Sequence, residues 1–224
     1  MPAEQAFERL TAFFTPPLLA QLLSERRVEL ACAAISGAAP LLTGEGLLGA
    51  LYAGEVPAGS VRFYVNRQKF DFQAIGMIET EQVPAEIVHK LIRQGATLVF
   101  DHLEQAFAPL ARFARLIGES LQRGVQISGV LSFTDRSGIA PHHDTENVFI
   151  LQLEGEKEWV LLGDPVAEGL PNSGYAEPEG EPRSLTLRAG DAMFVPAGQR
   201  HYCNPSPAGS LHLGVLLEAG EHPE

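Results

Sequence analysis

PHHDTENVFILQLEGEKEW, residues 141–159, is the stretch whose reading decides the fold. It opens on His142-His143-Asp144, and side chains two apart on an extended strand point to the same side of it. His142 and Asp144 therefore converge, while His143 faces the other way. The apolar run Val148–Leu153 and the segment Glu158–Leu162 flank Glu154-Gly155-Glu156, which predicts a hairpin. Downstream, GDAMFVPAGQRH, residues 190–201, reads as a tight turn at Gly190-Asp191, a short strand, a second turn at Pro196, and His201 on the strand that follows. The strands between the two stretches have the lengths needed to bring His201 back beside His142 and Asp144.

Two imidazoles and one carboxylate on one face leave three coordination positions open, the donor set of non-haem Fe(II) oxygenases. His142, Asp144 and His201 are therefore the candidate metal ligands and the candidate catalytic centre.

Outward from this stretch, residues 125–133, 147–153, 157–162, 185–188, 192–195, 200–203 and 210–217 form short β segments separated by turn residues. That pattern predicts a sandwich or small barrel. The N-terminal half differs. Residues 5–27 read as two short helices broken at Thr15-Pro16-Pro17, with Leu18, Leu19, Leu22 and Leu23 as a packed face. Residues 33–60 are rich in Gly, Ala and Pro and show no pattern that assigns an element. Val61–Val65 reads as a strand before a polar turn at Asn66–Lys69. A helix is predicted over Pro84–Gln94, with proline at its start and Gly95 past its end. Ala96–Phe100 follows as a strand. A second helix spans Pro109 to Arg123, stops at Gly124 and carries a stripe of Leu110, Ala114, Ile117 and Leu121.

The expected fold is thus α+β, mainly β, in a single domain. Residues 1–124 form a helical and mixed region packed around a β-barrel core at 125–217, with an acidic tail at 218–224. The connection Gly163–Arg183 is long and rich in Pro, Gly and Glu, as a lid over a site would be. It carries Asp164, Glu168, Glu177, Glu179 and Glu181 against Arg183, which would attract a cationic substrate.

Composition narrows the classes. At 224 residues the chain is long enough for a sizeable core,. A net charge of -12 argues against nucleic acid, whose binding needs clustered Lys and Arg,. No apolar run approaches a membrane span and the first residues lack the charge order of a signal peptide, so a cytoplasmic protein is expected. Cys32 and Cys203 form no spaced framework and read as reduced thiols, Cys203 as a small strand filler. A homodimer is compatible with all of this.

Pro141–Trp159, Gly190–His201 and Ser210-Leu-His-Leu213 together resemble the JmjC-type cupins, close to the ribosomal oxygenase group. The similarity covers roughly residues 96–217. It implies a double-stranded β-helix, the cupin or jelly-roll barrel, and a dioxygenase that uses Fe(II), 2-oxoglutarate and O2 and releases succinate and CO2. On this resemblance His142, Asp144 and His201 hold the iron. Lys157, fifteen positions after His142, stands where the family keeps a basic residue for the distal carboxylate of 2-oxoglutarate. Ser128 and Ser132, on the strand leading into the site, are candidate co-substrate contacts. His212 reads as a packed structural histidine, Trp159 as core, and His89, His102 and His222 as surface residues.

The chain departs from the family at Gly214, where relatives commonly carry threonine, and at Val130, where an aromatic residue is common. It also ends soon after Leu217, which leaves no room for the C-terminal domains of the ribosomal oxygenases. The expected activity is hydroxylation of a protein or peptide residue. The alternatives are a tailoring hydroxylase of a small molecule or peptide natural product and, in another class, a metal-binding cupin without oxygenase activity.

Overall fold

The computed structural model describes residues 2–38, 40–70, 83–134, 138–167 and 181–218. Helices α1 (Pro2–Phe13) and α2 (Pro16–Glu25) are parted at Thr15, whose extended backbone leads into two prolines at the first helical positions. There the missing N–H has no helical partner to lose. In α2, Leu19 and Leu22 are buried. β1 (Glu29–Ala31), α3 (Gly44–Ala53), a 3-10 turn (Ala58–Ser60), β2 (Val61–Val65) and β3 (Gln68–Lys69) follow. Next come α4 (Ala85–Arg93), β4 (Thr97–Phe100), α5 (Leu103–Ala106) and α6 (Ala108–Leu121). The C-terminal half is β5 (Val125–Ser132), β6 (Asn147–Leu162), β7 (Arg183–Arg188), β8 (Ala192–Val195) and β9 (Arg200–Leu217).

The nine strands among the described residues join one antiparallel sheet in the order β1-β8-β6-β9-β5-β4-β2-β3, with β7 paired to β6. The first 124 residues therefore do more than pack against the sheet. β4 extends it from β5, β2 from β4, and β1 pairs with β8. One face buries Phe63, Phe100, Ile127, Phe149, Phe194 and Leu213 against helical residues such as Leu10, Leu47, Leu91 and Phe113. Buried apolar area of this extent is the main stabilising contribution to such a domain. The other face carries a smaller cluster, including Val148, Ile150, Trp159, Leu161 and Met193, and a cavity.

Several expectations need correction. No hairpin forms at Glu154-Gly155-Glu156. β6 continues through it as one 16-residue strand, paired with β9 on both sides, and the register slips between Gln152 and Glu154 and again between Gly155 and Lys157. Gly155 takes φ +64°, and a Cβ there would lie 2.2 Å from the Gly209 carbonyl oxygen. A glycine required by a bulge and a close strand crossing looks, in sequence, like a turn. Segments 200–203 and 210–217 are likewise one strand, β9, of 18 residues, with Pro205 and Pro207 inside it.

The slip has a consequence for side-chain direction. Val148 and Ile150 share a cluster with Trp159 and Leu161, so the inward phase of β6 changes from even to odd numbers. In β9 it changes the other way: His201, Cys203 and Pro205 line the cavity before the irregularity, His212, Gly214 and Leu216 after it. A shift of one residue turns every later side chain to the other face.

The unassigned residues 33–60 hold α3, which begins where the Thr43 hydroxyl accepts from the Gly46 N–H and ends at Gly54 with φ 75°,. Helix α6 stops at Gln122 in a left-handed conformation, not at Gly124. Its stripe is as expected, with Leu110, Ala114 and Ile117 buried. The turn expected at Asn66–Lys69 is confined to Asn66 and Arg67, both at positive φ, and Gln68–Lys69 pair back onto β2.

Candidate metal centre

His142 lies before β6 and His201 near the start of β9. An isolated bridge joins them: the His142 N–H donates to the His201 carbonyl at 3.0 Å and the His201 N–H to that of His142 at 2.8 Å. This pairing sets the two imidazoles side by side, with ring centroids 4.5 Å apart. Each ring is oriented by a neighbouring carbonyl. His142 Nδ1 is 2.9 Å from the Ala140 oxygen and His201 Nδ1 is 2.9 Å from the Gln199 oxygen. A carbonyl only accepts, so each Nδ1 bears the proton and each Nε2 keeps a lone pair free for a metal.

The Asp144 carboxylate reaches within 3.9 Å of His201 Nε2. Ligand atoms of His142, Asp144 and His201 all lie within 4.8 Å of one another. Burial, with the nearby His142, holds His201 well below the usual imidazole range and neutral at physiological pH,. Two neutral nitrogen donors and one carboxylate fit a divalent transition metal on one face. The structure thus brings together the three residues singled out in the sequence, and His143, as expected, does not line the cavity.

The triad opens into a cavity of about 430 Å³. Lys157 reaches the same cavity from β6, on the far side of the bulge. It is fully buried, and its Nζ donates to His212 Nδ1 at 2.9 Å. Among the described residues no carboxylate forms an ion pair with it. Desolvation pushes this ammonium down to about 8. His212 is held far below the usual range by burial and by Lys157, so it accepts as a neutral ring. Sequence reasoning took His212 as structural and missed this bond, which joins residues 55 apart.

Trp159, expected in the core, is buried but also lines the cavity, its ring centroid 5.1 Å from His201 and 5.2 Å from His212. Its Nε1 has no hydrogen-bond partner among the described residues. Ser128 and Ser132 both face the cavity from β5. The Ser128 hydroxyl lies 3.4 Å from the Gly214 carbonyl, and that of Ser132 lies 3.2 Å from the Thr97 hydroxyl. Gly214 has room for no side chain without displacing Ser128, since a Cβ there would sit 2.7 Å from the hydroxyl. Cys203 faces the cavity as a thiol whose pKa burial pushes up to about 12. His89 and His102 are exposed, and His222 lies outside the described residues.

β2 and β4 add wall residues that sequence reasoning did not connect with the site: Arg62, Tyr64, Thr97 and Val99. Alternation in these strands places them opposite the core residues Phe63 and Leu98. Arg62 pairs with Asp101 at 2.6 Å, and Arg67 lies 5.7 Å above the Tyr202 ring. Of the acidic residues assigned to the lid, Glu168, Glu177 and Glu179 lie outside the described residues. Among the described residues no helix is long and apolar enough to cross a membrane.

A family model described as the JmjC domain matches residues 102–222. A bifunctional lysine-specific demethylase and histidyl-hydroxylase NO66 of Dictyostelium discoideum is 33% identical over 152 residues, covering 65% of this chain and 30% of that protein. Ribosomal oxygenase 1 of Gallus gallus is 40% identical over 85 residues, 35% of this chain and 14% of that one. Among solved structures, Escherichia coli YcfD aligns with a TM-score of 0.60 at 17% identity over 90% of this chain and 53% of its own. A form of that ribosomal oxygenase holding cobalt and 2-oxoglutarate aligns with a TM-score of 0.56 at 16% identity, over 91% of this chain and 52% of its own. The chain spans less than a third of these curated relatives and about half of the solved one. The structural likeness is one of fold.

Proposed function

The chain belongs to the JmjC domain family, and on that premise we propose that it is an Fe(II)- and 2-oxoglutarate-dependent dioxygenase that hydroxylates a protein or peptide residue. The observation that carries this reading is one cavity with two unlike poles: the donors of His142, Asp144 and His201, and the buried ammonium of Lys157. A metal-binding barrel has no need of an unpaired buried cation, which costs desolvation unless an anion meets it. A dicarboxylate co-substrate is such an anion.

His142 Nε2, Asp144 and His201 Nε2 would hold the iron. Bound there, iron would supply the O2 chemistry that couples oxidative decarboxylation of 2-oxoglutarate, to succinate and CO2, with hydroxylation of a C–H bond. The carbonyls of Ala140 and Gln199 keep both imidazoles in the ligating tautomer. Lys157 would pair with the distal carboxylate in a site where water screens little. Ser128 and Ser132 offer hydroxyls along the same wall. Trp159, Val148 and Ile150 line the same cavity with apolar surface, and no side chain needs to act as a general base. The choice of a protein or peptide substrate is supported by the names of the relatives, one a histidyl-hydroxylase and others ribosomal oxygenases.

An anaerobic Fe(II) titration of the apo protein, with and without 2-oxoglutarate, tests this reading. A saturable visible charge-transfer band is expected, absent in both Lys157→Ala and His142→Ala. Iron binding without the band in the wild type would instead indicate a metal-binding barrel without oxygenase chemistry.

A further inference from the structure

Lys157 and His212 come from different strands and meet only because of the irregularities in β6 and β9. Lys157 lies beyond the bulge in β6, and His212 precedes it in the pairing, opposite Gln152. Their bond at 2.9 Å is the one hydrogen bond that holds the ammonium among the described residues. An ammonium has three protons and no acceptor capacity, whereas a neutral imidazole has one donor and one acceptor. Since His212 Nδ1 accepts from Lys157, the ring proton sits on Nε2. That N–H has no hydrogen-bond partner among the described residues, and the ring lines the cavity.

We propose that His212 is a positioning residue for the co-substrate: it anchors one proton of the Lys157 ammonium, turning the other two toward the cavity, and presents its own Nε2–H as a further donor to the same distal carboxylate. This rests on the proposed function above. It makes the anion site a two-residue unit, with a flexible four-carbon side chain aimed by a fixed ring. Trp159 packs beside that ring, 5.2 Å between centroids, and limits its rotation. Lys157 alone would be a loose point charge with several rotamers. The bond to His212 selects one of them before the ligand arrives, which lowers the entropy lost on binding.

The test is the dissociation constant of 2-oxoglutarate on the Fe(II)-loaded protein without oxygen, read from the charge-transfer band, for wild type, His212→Phe, His212→Asn and Lys157→Met. Pyruvate, a 2-oxo acid without the distal carboxylate, is titrated in parallel, and Fe(II) affinity and thermal melting are measured for every variant. His212→Phe should weaken 2-oxoglutarate at least tenfold and leave Fe(II) and pyruvate affinities within about twofold. His212→Asn, which keeps an acceptor and a donor, should recover most of the loss. In Lys157→Met, where 2-oxoglutarate binding is lost, pyruvate affinity should also stay within about twofold. Unchanged 2-oxoglutarate affinity in His212→Phe overturns the proposal. So does an equal loss for pyruvate, which would mean a general disturbance of the barrel. If His212→Phe does not fold, His212→Leu is read in its place: unchanged 2-oxoglutarate affinity there overturns the proposal, and a tenfold loss with pyruvate affinity kept supports it. Absence of the band in the wild type would instead count against the dioxygenase reading itself.

Discussion

At Lys157, burial and charge pull in opposite directions. An ordinary lysine titrates near 10.5 and this one near 8, so the folded state holds its proton less tightly than the unfolded chain. Between those two values the unfolded state binds more protons, and stability contributed by this group rises as pH rises through the interval. Below pH 8 the full cost of burying the charge is present. Each pKa unit corresponds to about 1.4 kcal/mol, so removing the charge should stabilise the fold by roughly 3–4 kcal/mol,. Lys157→Met should therefore melt higher than wild type at pH 7, by roughly 5 °C or more at the usual entropy of a domain this size. The advantage should shrink as pH approaches 10.5, while 2-oxoglutarate binding is lost throughout. Thermal melts across pH 6.5–10.5 check the first part; a variant no more stable than wild type would contradict it. The triad was legible in the sequence because short spacing along a strand carries it, whereas Lys157 was singled out only by its place in the family that the chain resembles. The lysine's bond to His212 was not legible, since nothing local in Ser210–Leu213 marks its partner.

At the scale of elements, β6 and β9 are each one long strand that changes face partway. Alternation reports direction only while the phase holds, and a strand that slips by one residue reads as two strands with a turn. Gly155 makes the slip feasible. Gly155→Ala places a Cβ against the Gly209 carbonyl in a left-handed backbone and should cost about 2–4 kcal/mol. Because the bulge also sets which way Lys157 points, the folded fraction of this variant should bind 2-oxoglutarate poorly while keeping metal affinity. Melting and anaerobic titration together separate the two effects. Gly49 is the counterpart. It lies exposed within α3, and a Cβ there would meet nothing within 4 Å. Gly49→Ala should stabilise by roughly 0.5–1 kcal/mol, visible as a small rise in denaturant midpoint without change in slope. The glycines at 44, 46 and 49 also explain why α3 was hidden. Its caps, Thr43 and Gly54, were the available signal.

For the whole molecule, the metal site joins the approach to β6 with the start of β9, so its occupancy should be linked to global stability. Fe(II) or Co(II) at about a hundred times its dissociation constant should add roughly 2.7 kcal/mol. That is roughly 5–10 °C in a melt, and His142→Ala should show no such rise. An equal rise in His142→Ala would place the binding elsewhere. The sequence by itself determined that the chain is mainly β with a helical N-terminal part, and which residues could hold a metal, because side-chain chemistry, strand alternation and short spacing are local. It also pointed to the wall where Lys157 stands. Only the tertiary structure decided that β1 to β4 extend the same sheet, that Arg62 and Thr97 share a cavity with His201, and that Lys157 meets His212. Those facts depend on which strand pairs with which and in what register. Pairing and register are set by burial of a common core among residues far apart in the chain, and no short stretch encodes them.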